Sequence, residues 1–240
     1  MMRKLFFLAL LVCFTGSLFA QSDQDWSFDL GGQYTWMSFT TPPTYSGSTG
    51  GVHGSVTYQK PEHFFGQLRS VYNTGAVSSS LTSGREYDWY TELVGGYCFS
   101  ICPCWEVTPR VGLGFDFLTD KHNAYAAISA IRLNYATYYA LVGVDLHYTY
   151  CDWSFGAIVD ALIIYNQYLS IGGLAGAAWK MNDRWGVDVR LPVAYRFCDN
   201  LWIELAPYYR LLPVGVSSVL ELPSRNLNQV GAFLTLRYYL

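Results

Sequence analysis

The sequence predicts an all-β fold: a transmembrane, antiparallel up-and-down β-barrel preceded by a cleaved signal peptide. Three observations carry the prediction. Residues 185–197 alternate strictly, with Trp185, Val187, Val189, Leu191, Val193, Tyr195 and Phe197 on one face. The other face holds Gly186, Asp188, Arg190, Pro192, Ala194 and Arg196, giving the two-residue period of a strand. The run is also long enough to cross a bilayer as a tilted strand. The composition is 51% hydrophobic and 18% aromatic but only 14% charged, against about 25% charged in soluble domains. Beyond residue 20 there is no stretch of about 18 apolar residues, so a helical span is not expected.

The first 20 residues have the layout of a secretory signal. Arg3 and Lys4 are followed by an apolar run and by Ser17-Leu18-Phe19-Ala20, with cleavage expected after Ala20. A lipoprotein reading through Cys13 meets Val12 where a small residue is needed. Residues 21–240 then form one barrel domain.

The expected strands are 26–38, 51–60, 64–73, 87–98, 105–117, 135–149, 153–164, 185–197, 201–211 and 229–240. In the first, Trp26, Phe28, Leu30, Tyr34 and Trp36 alternate with Ser27, Asp29, Gln33 and Thr35. Long connections (40–50, 73–86, 118–134 and 212–228) alternate with short turns around 60–63, 99–104, 150–152 and 198–200. Residues 165–184 are ambiguous. As an extension above the membrane they leave ten strands, the expected number; as a further crossing, with 212–222, they would make twelve.

Charge decides which face meets lipid. Lys60, Lys121 and Lys180, the lysines after the signal, are read as lying in turns or loops. The strand charges share the face of Gly, Ser, Thr and Gln: Asp29, Arg69, Glu92, Glu106, Arg110, Asp116, Asp145, Asp160, Asp188, Arg190, Arg196, Glu204 and Arg237. A basic group facing mid-membrane lipid costs roughly 2–4 kcal/mol, so these belong in the lumen. Trp and Tyr cluster near strand ends, where interfacial belts would hold them.

In Gln229–Leu240 one face carries Val230, Ala232, Leu234, Leu236, Tyr238 and Leu240. This last strand resembles that of bacterial outer-membrane β-barrels of the small and porin-like classes. The resemblance implies location in the bacterial outer membrane, insertion by the barrel-assembly machinery, contact with outer-membrane lipid, and short turns and both termini on the periplasmic side.

No cofactor or metal motif is present, and a formal net charge of −3 argues against nucleic acid. The lumenal charges Glu106, Arg110, Asp188, Arg190, Arg196, Glu204 and Arg237 are the candidates for conduction. Cys98, Cys102, Cys104, Cys151 and Cys198 all fall near short turns. They are candidates for disulfides, including links to other envelope proteins, because the periplasm supports such bonds. Among the histidines, His53 with Ser55 at a strand start and Asp120 with His122 in a loop are the possible catalytic pairs. Asp145 with His147 reads as a lumenal hydrogen bond, and His63 carries no signal. No catalytic residue is assigned. The expected function is a structural or surface-binding membrane barrel, with a narrow porin and a lipid-modifying enzyme as alternatives.

Overall fold

The computed structural model describes residues 26–40, 44–59, 63–79, 82–123, 131–172, 178–215 and 225–240. The expected signal peptide lies outside them. The strands are β1 (Trp26–Phe39), β2 (Tyr45–Tyr58), β3 (Phe64–Ser78), β4 (Ser83–Tyr97), β5 (Phe99–Cys102), β6 (Trp105–His122) and β7 (Ile131–Tyr150). They continue as β8 (Trp153–Ile171), β9 (Ala178–Lys180), β10 (Arg184–Arg190), β11 (Val193–Cys198), β12 (Leu201–Val214) and β13 (Arg225–Tyr239). They form a closed antiparallel ring in which β1, β2, β3, β4, β6, β7 and β8 pair in turn, β10 and β11 both lie between β8 and β12, and β12 pairs with β13, which pairs with β1.

Thirteen strands build ten wall positions, because three breaks divide continuous staves. β5 keeps the register of β4 against β6, and Pro109, which has no N–H to donate, lies at the break. Pro192 divides β10 from β11 in the same way, although both hold one register against β8 and β12. The wall stays closed there: Gly156 N donates to the Pro192 carbonyl (2.7 Å) and Leu191 N to that of Pro207 (2.9 Å). β9 continues the same stave against the far end of β8. Residues 165–172 and 178–184 thus extend the pairing of β8 and are not an added crossing, which gives ten wall positions.

Two outward rings of aromatics bracket the wall. Trp26 and Trp36 on β1, Trp105 and Phe115 on β6, Tyr148 and Tyr138 on β7, and Tyr195 and Trp185 on β11 and β10 are each ten residues apart. At ~3.3 Å per residue and a tilt of ~40–45°, that spacing is about 25 Å, the height of a barrel's apolar band. Between the rings Leu30, Val52, Leu93, Leu113, Val142 and Leu234 are exposed on the outer wall. The portions between the rings are the membrane-spanning segments. Trp26, Leu240 and the short turns mark one end of the barrel (the turn end), and the hairpins beyond the second ring mark the other (the loop end).

The long connections are shorter than the sequence implies. β3 and β4 extend to Ser78 and from Ser83, β6 to His122, β7 from Ile131, β12 to Val214 and β13 from Arg225. Beyond the membrane both faces of a strand can be polar, so the alternation that reveals a strand fades while its backbone pairing continues. Lys121 and Lys180 consequently lie on strands and not in loops, whereas Lys60 is outside the described residues.

Candidate functional site

The lumen is filled in three layers. At the turn end lies a cavity of about 270 Å³, whose lining includes Asp29, His53, Glu106, Arg110, His147, Glu204 and Arg237. Arg237 bridges two walls, donating to both Asp29 oxygens (2.8 and 3.2 Å) and pairing with Glu204 (3.0 Å). Gln59 donates to Glu106 at 3.4 Å. His147 Nε2 sits 2.9 Å from Asp145 Oδ1, the lumenal contact read from the sequence.

Above the cavity the charges condense into a network. Arg110 pairs with Asp160 (3.1 Å) and Asp145 (3.8 Å), and Arg190 joins Asp160 (3.1 Å) to Asp188 (3.3 Å). At the centre Arg210, 0% exposed, reaches Glu92 (3.2 Å), Asp116 (3.3 Å) and Asp188 (3.5 Å). It also donates to the Tyr139 hydroxyl (2.9 Å) and lies 4.1 Å from the Tyr90 ring centroid. Tyr139 in turn donates to Glu92 (2.9 Å). Gly114 makes room for this ring, because a Cβ there would overlap it. Towards the loop end the lumen becomes largely apolar: Met37, Phe39, Tyr45, Leu118, Tyr135, Leu169, Leu212 and Leu227 are buried in one cluster, with Glu86 and Asp120 buried at the same end.

At the loop end, beyond Trp89 and hence outside the spanning part of β4, Glu86 stands in register with Asp120 of β6. Both Glu86 oxygens are buried without a hydrogen bond. Burial, then Asp120 and Asp88, push its carboxyl well above the ordinary 4.5. Asp120 holds His122 Nε2. The two are therefore a strand-borne pair, Asp120 buried and His122 half-buried, and not solvated loop residues.

The expectations for Arg196 and for the His53–Ser55 pair are corrected here. Arg196 is exposed and donates to Asp152 in the β7–β8 turn (2.9 and 2.6 Å), so it lies on the rim and not in the lumen. Its strand leaves the bilayer there, and a nearby carboxylate in water draws it outward. His53 lies well along β2 and contacts Thr235 (2.9 Å), while Ser55 donates to Asp29 (2.9 Å), so the two do not pair. All five described cysteines are free thiols. Cys98 is buried and accepts from Thr108 (3.3 Å), and Cys102, Cys104, Cys151 and Cys198 are exposed. Cys151 takes a left-handed conformation (φ 52°) in its turn. Among the described residues no three His, Cys, Asp or Glu come together as a metal site. Sequence reasoning missed Arg210 and Asp88. Both keep the inward parity of residues already assigned to the lumen, Glu204 on β12 and Glu92 on β4, and extending that parity would have found them.

No protein-family description matches this sequence, and no curated protein is significantly similar to it. Solved structures are. The outer membrane protease OmpT from Escherichia coli superposes with a TM-score of 0.58 at 7% identity, over 90% of this chain and 96% of that one. The translocator domain of the autotransporter NalP from Neisseria meningitidis gives 0.51 at 7% identity, over 96% of each chain. This chain has the fold of the bacterial outer-membrane β-barrels. The likeness extends to the closed antiparallel wall of such barrels and, at this identity, to nothing finer.

Proposed function

We infer that this is an integral protein of a bacterial outer membrane, with its termini and short turns in the periplasm, serving a structural or surface-binding role through its loop end. One observation carries the reading against a porin: Arg210 and its carboxylates fill the mid-lumen, with an apolar layer above them. An ion would have to break paired charges and then pass a tightly packed, largely apolar layer. Barrels near this strand number are filled by side chains, whereas wide pores need sixteen or more strands. The test is single-channel recording from refolded residues 21–240 in a planar bilayer. A silent bilayer with a folded barrel supports the reading; steady conductance, altered by Arg110→Ala or Glu106→Ala, would replace it with a narrow porin.

A second reading, hydrolysis at the loop end, is favoured by the Asp120–His122 pair facing Glu86, since a carboxylate-oriented imidazole is what activation of water requires. Turnover of a peptide or phospholipid substrate that His122→Ala abolishes would establish it. Turnover unchanged in that variant, or none, removes it.

A further inference from the structure

The strand portions beyond the loop-end aromatic ring sort charge by sign. On β4, β6 and β7 the carboxylates Glu86, Asp88 and Asp120 are buried inward, whereas Arg85, Lys121 and Arg132 are exposed on the outer wall. The three cations form one row, because Arg85 is in register with Lys121 and Lys121 with Arg132. Like charges directly opposite on neighbouring strands repel, and a water-exposed sheet would intersperse acids to relieve them. Here no ion pair relieves the row among the described residues. Lys121 lies over the Tyr87 ring (4.5 Å) and Arg132 donates to Asn134 (3.0 Å), neutral partners that orient the charges without cancelling them.

Beneath the row on the same three strands lies a contiguous aromatic patch, Trp89 against Phe115 (5.9 Å) and Phe115 against Tyr138 (5.0 Å). The cations sit four to six residues beyond it, about 9–14 Å along the membrane normal for tilted strands. Their long side chains can reach back toward the interface. We propose that Arg85, Lys121 and Arg132 form a binding site for the phosphate of a membrane lipid, its acyl chains lying on the Trp89–Phe115–Tyr138 patch. The counter-charge missing from the protein is supplied by the lipid. The proposal rests on the membrane placement of the barrel, and with the orientation inferred above the lipid is one of the outer leaflet.

The test is native mass spectrometry of the refolded chain in detergent, titrated with phosphatidic acid, with diacylglycerol of the same acyl chains, and with inorganic phosphate. Arg85→Gln/Lys121→Gln/Arg132→Gln should lose roughly a hundred-fold in phosphatidic acid affinity, given what each basic group contributes near an anionic surface. Arg196→Gln, which removes an exposed cation at the other end, should lose nothing. Diacylglycerol should bind both forms alike. Retention of phosphatidic acid binding within about twofold in the triple variant would overturn the site. Inorganic phosphate binding as tightly as the lipid would overturn the lipid as its source. Should the triple variant not fold, Arg85→Gln and Arg132→Gln singly should each lose about fivefold, and no loss in either overturns the site. Failure of the wild type to insert into phosphatidylcholine vesicles would instead refute the membrane placement.

Discussion

Replacing Arg210 by Met should remove the strongest single support of the barrel interior. Methionine fills most of the space but leaves three carboxylates without their shared cation. Glu92 would keep the Tyr139 hydroxyl, at 2.9 Å, and Arg69, at 3.8 Å, and Asp188 would keep Arg190, at 3.3 Å. Asp116, whose ion pair among the described residues is with Arg210, would keep none. Deleting one partner of a buried pair costs about 3–5 kcal/mol, because the remaining charge is stranded in a low-dielectric interior. The packing of the guanidinium on Tyr90 is lost as well. Arg210→Lys retains the charge but not the fork that reaches several acceptors at once, and should fall between, losing about 1.5–3 kcal/mol. Arg210→Met/Asp116→Asn should recover part of the loss, since the stranded charge is gone, with a coupling of about 0.5–3 kcal/mol. The assay is reversible urea unfolding in phosphatidylcholine vesicles, followed by tryptophan fluorescence and by the heat-dependent migration of the folded barrel. A midpoint for Arg210→Met that matches the wild type, at the same slope, would refute the claim that this cation organises the lumen.

Three further outcomes follow from the same packing. Gly114→Ala places a methyl group where the Tyr139 ring lies and should cost about 1–3 kcal/mol in the same unfolding assay, as overpacking does. Glu86 has a raised folded-state value, so the native state holds its proton more tightly than the unfolded chain. The stability from this group is full below the ordinary 4.5 and is lost as pH rises through the raised value. Glu86→Gln should therefore flatten the fall in stability that sets in above pH 4.5 and ends past the raised value, and an unchanged pH profile would refute the assignment. A polar maleimide should label Cys102, Cys104, Cys151 and Cys198 in the folded barrel and Cys98 only after unfolding, with mass spectrometry counting the adducts.

Much of the wall was legible in the sequence because a strand's side chains alternate and a bilayer punishes charge on its outer face. Asp29, Glu106, Arg110, Asp188, Arg190, Glu204 and Arg237 were assigned to the lumen on that basis, and all seven face it. The rule failed for Arg196, where the strand leaves the membrane and lipid no longer dictates direction. It also lost the strands beyond the aromatic rings, so Asp120, Lys121 and His122 were read as loop residues. The candidate site was less legible than the wall. Parity places a residue inside but says nothing of its height or its partner across the barrel.

The sequence by itself determined that the chain crosses a bilayer as an all-β wall, and which residues face lipid, since both follow from a local two-residue period. Only the tertiary structure decided that Arg210 meets Glu92, 118 positions away in the chain, and that this network fills the mid-lumen. It alone aligned Arg85, Lys121 and Arg132 into one row. These facts depend on strand register and on closure of the ring, and register joins residues distant in sequence through backbone hydrogen bonds that carry no side-chain signature.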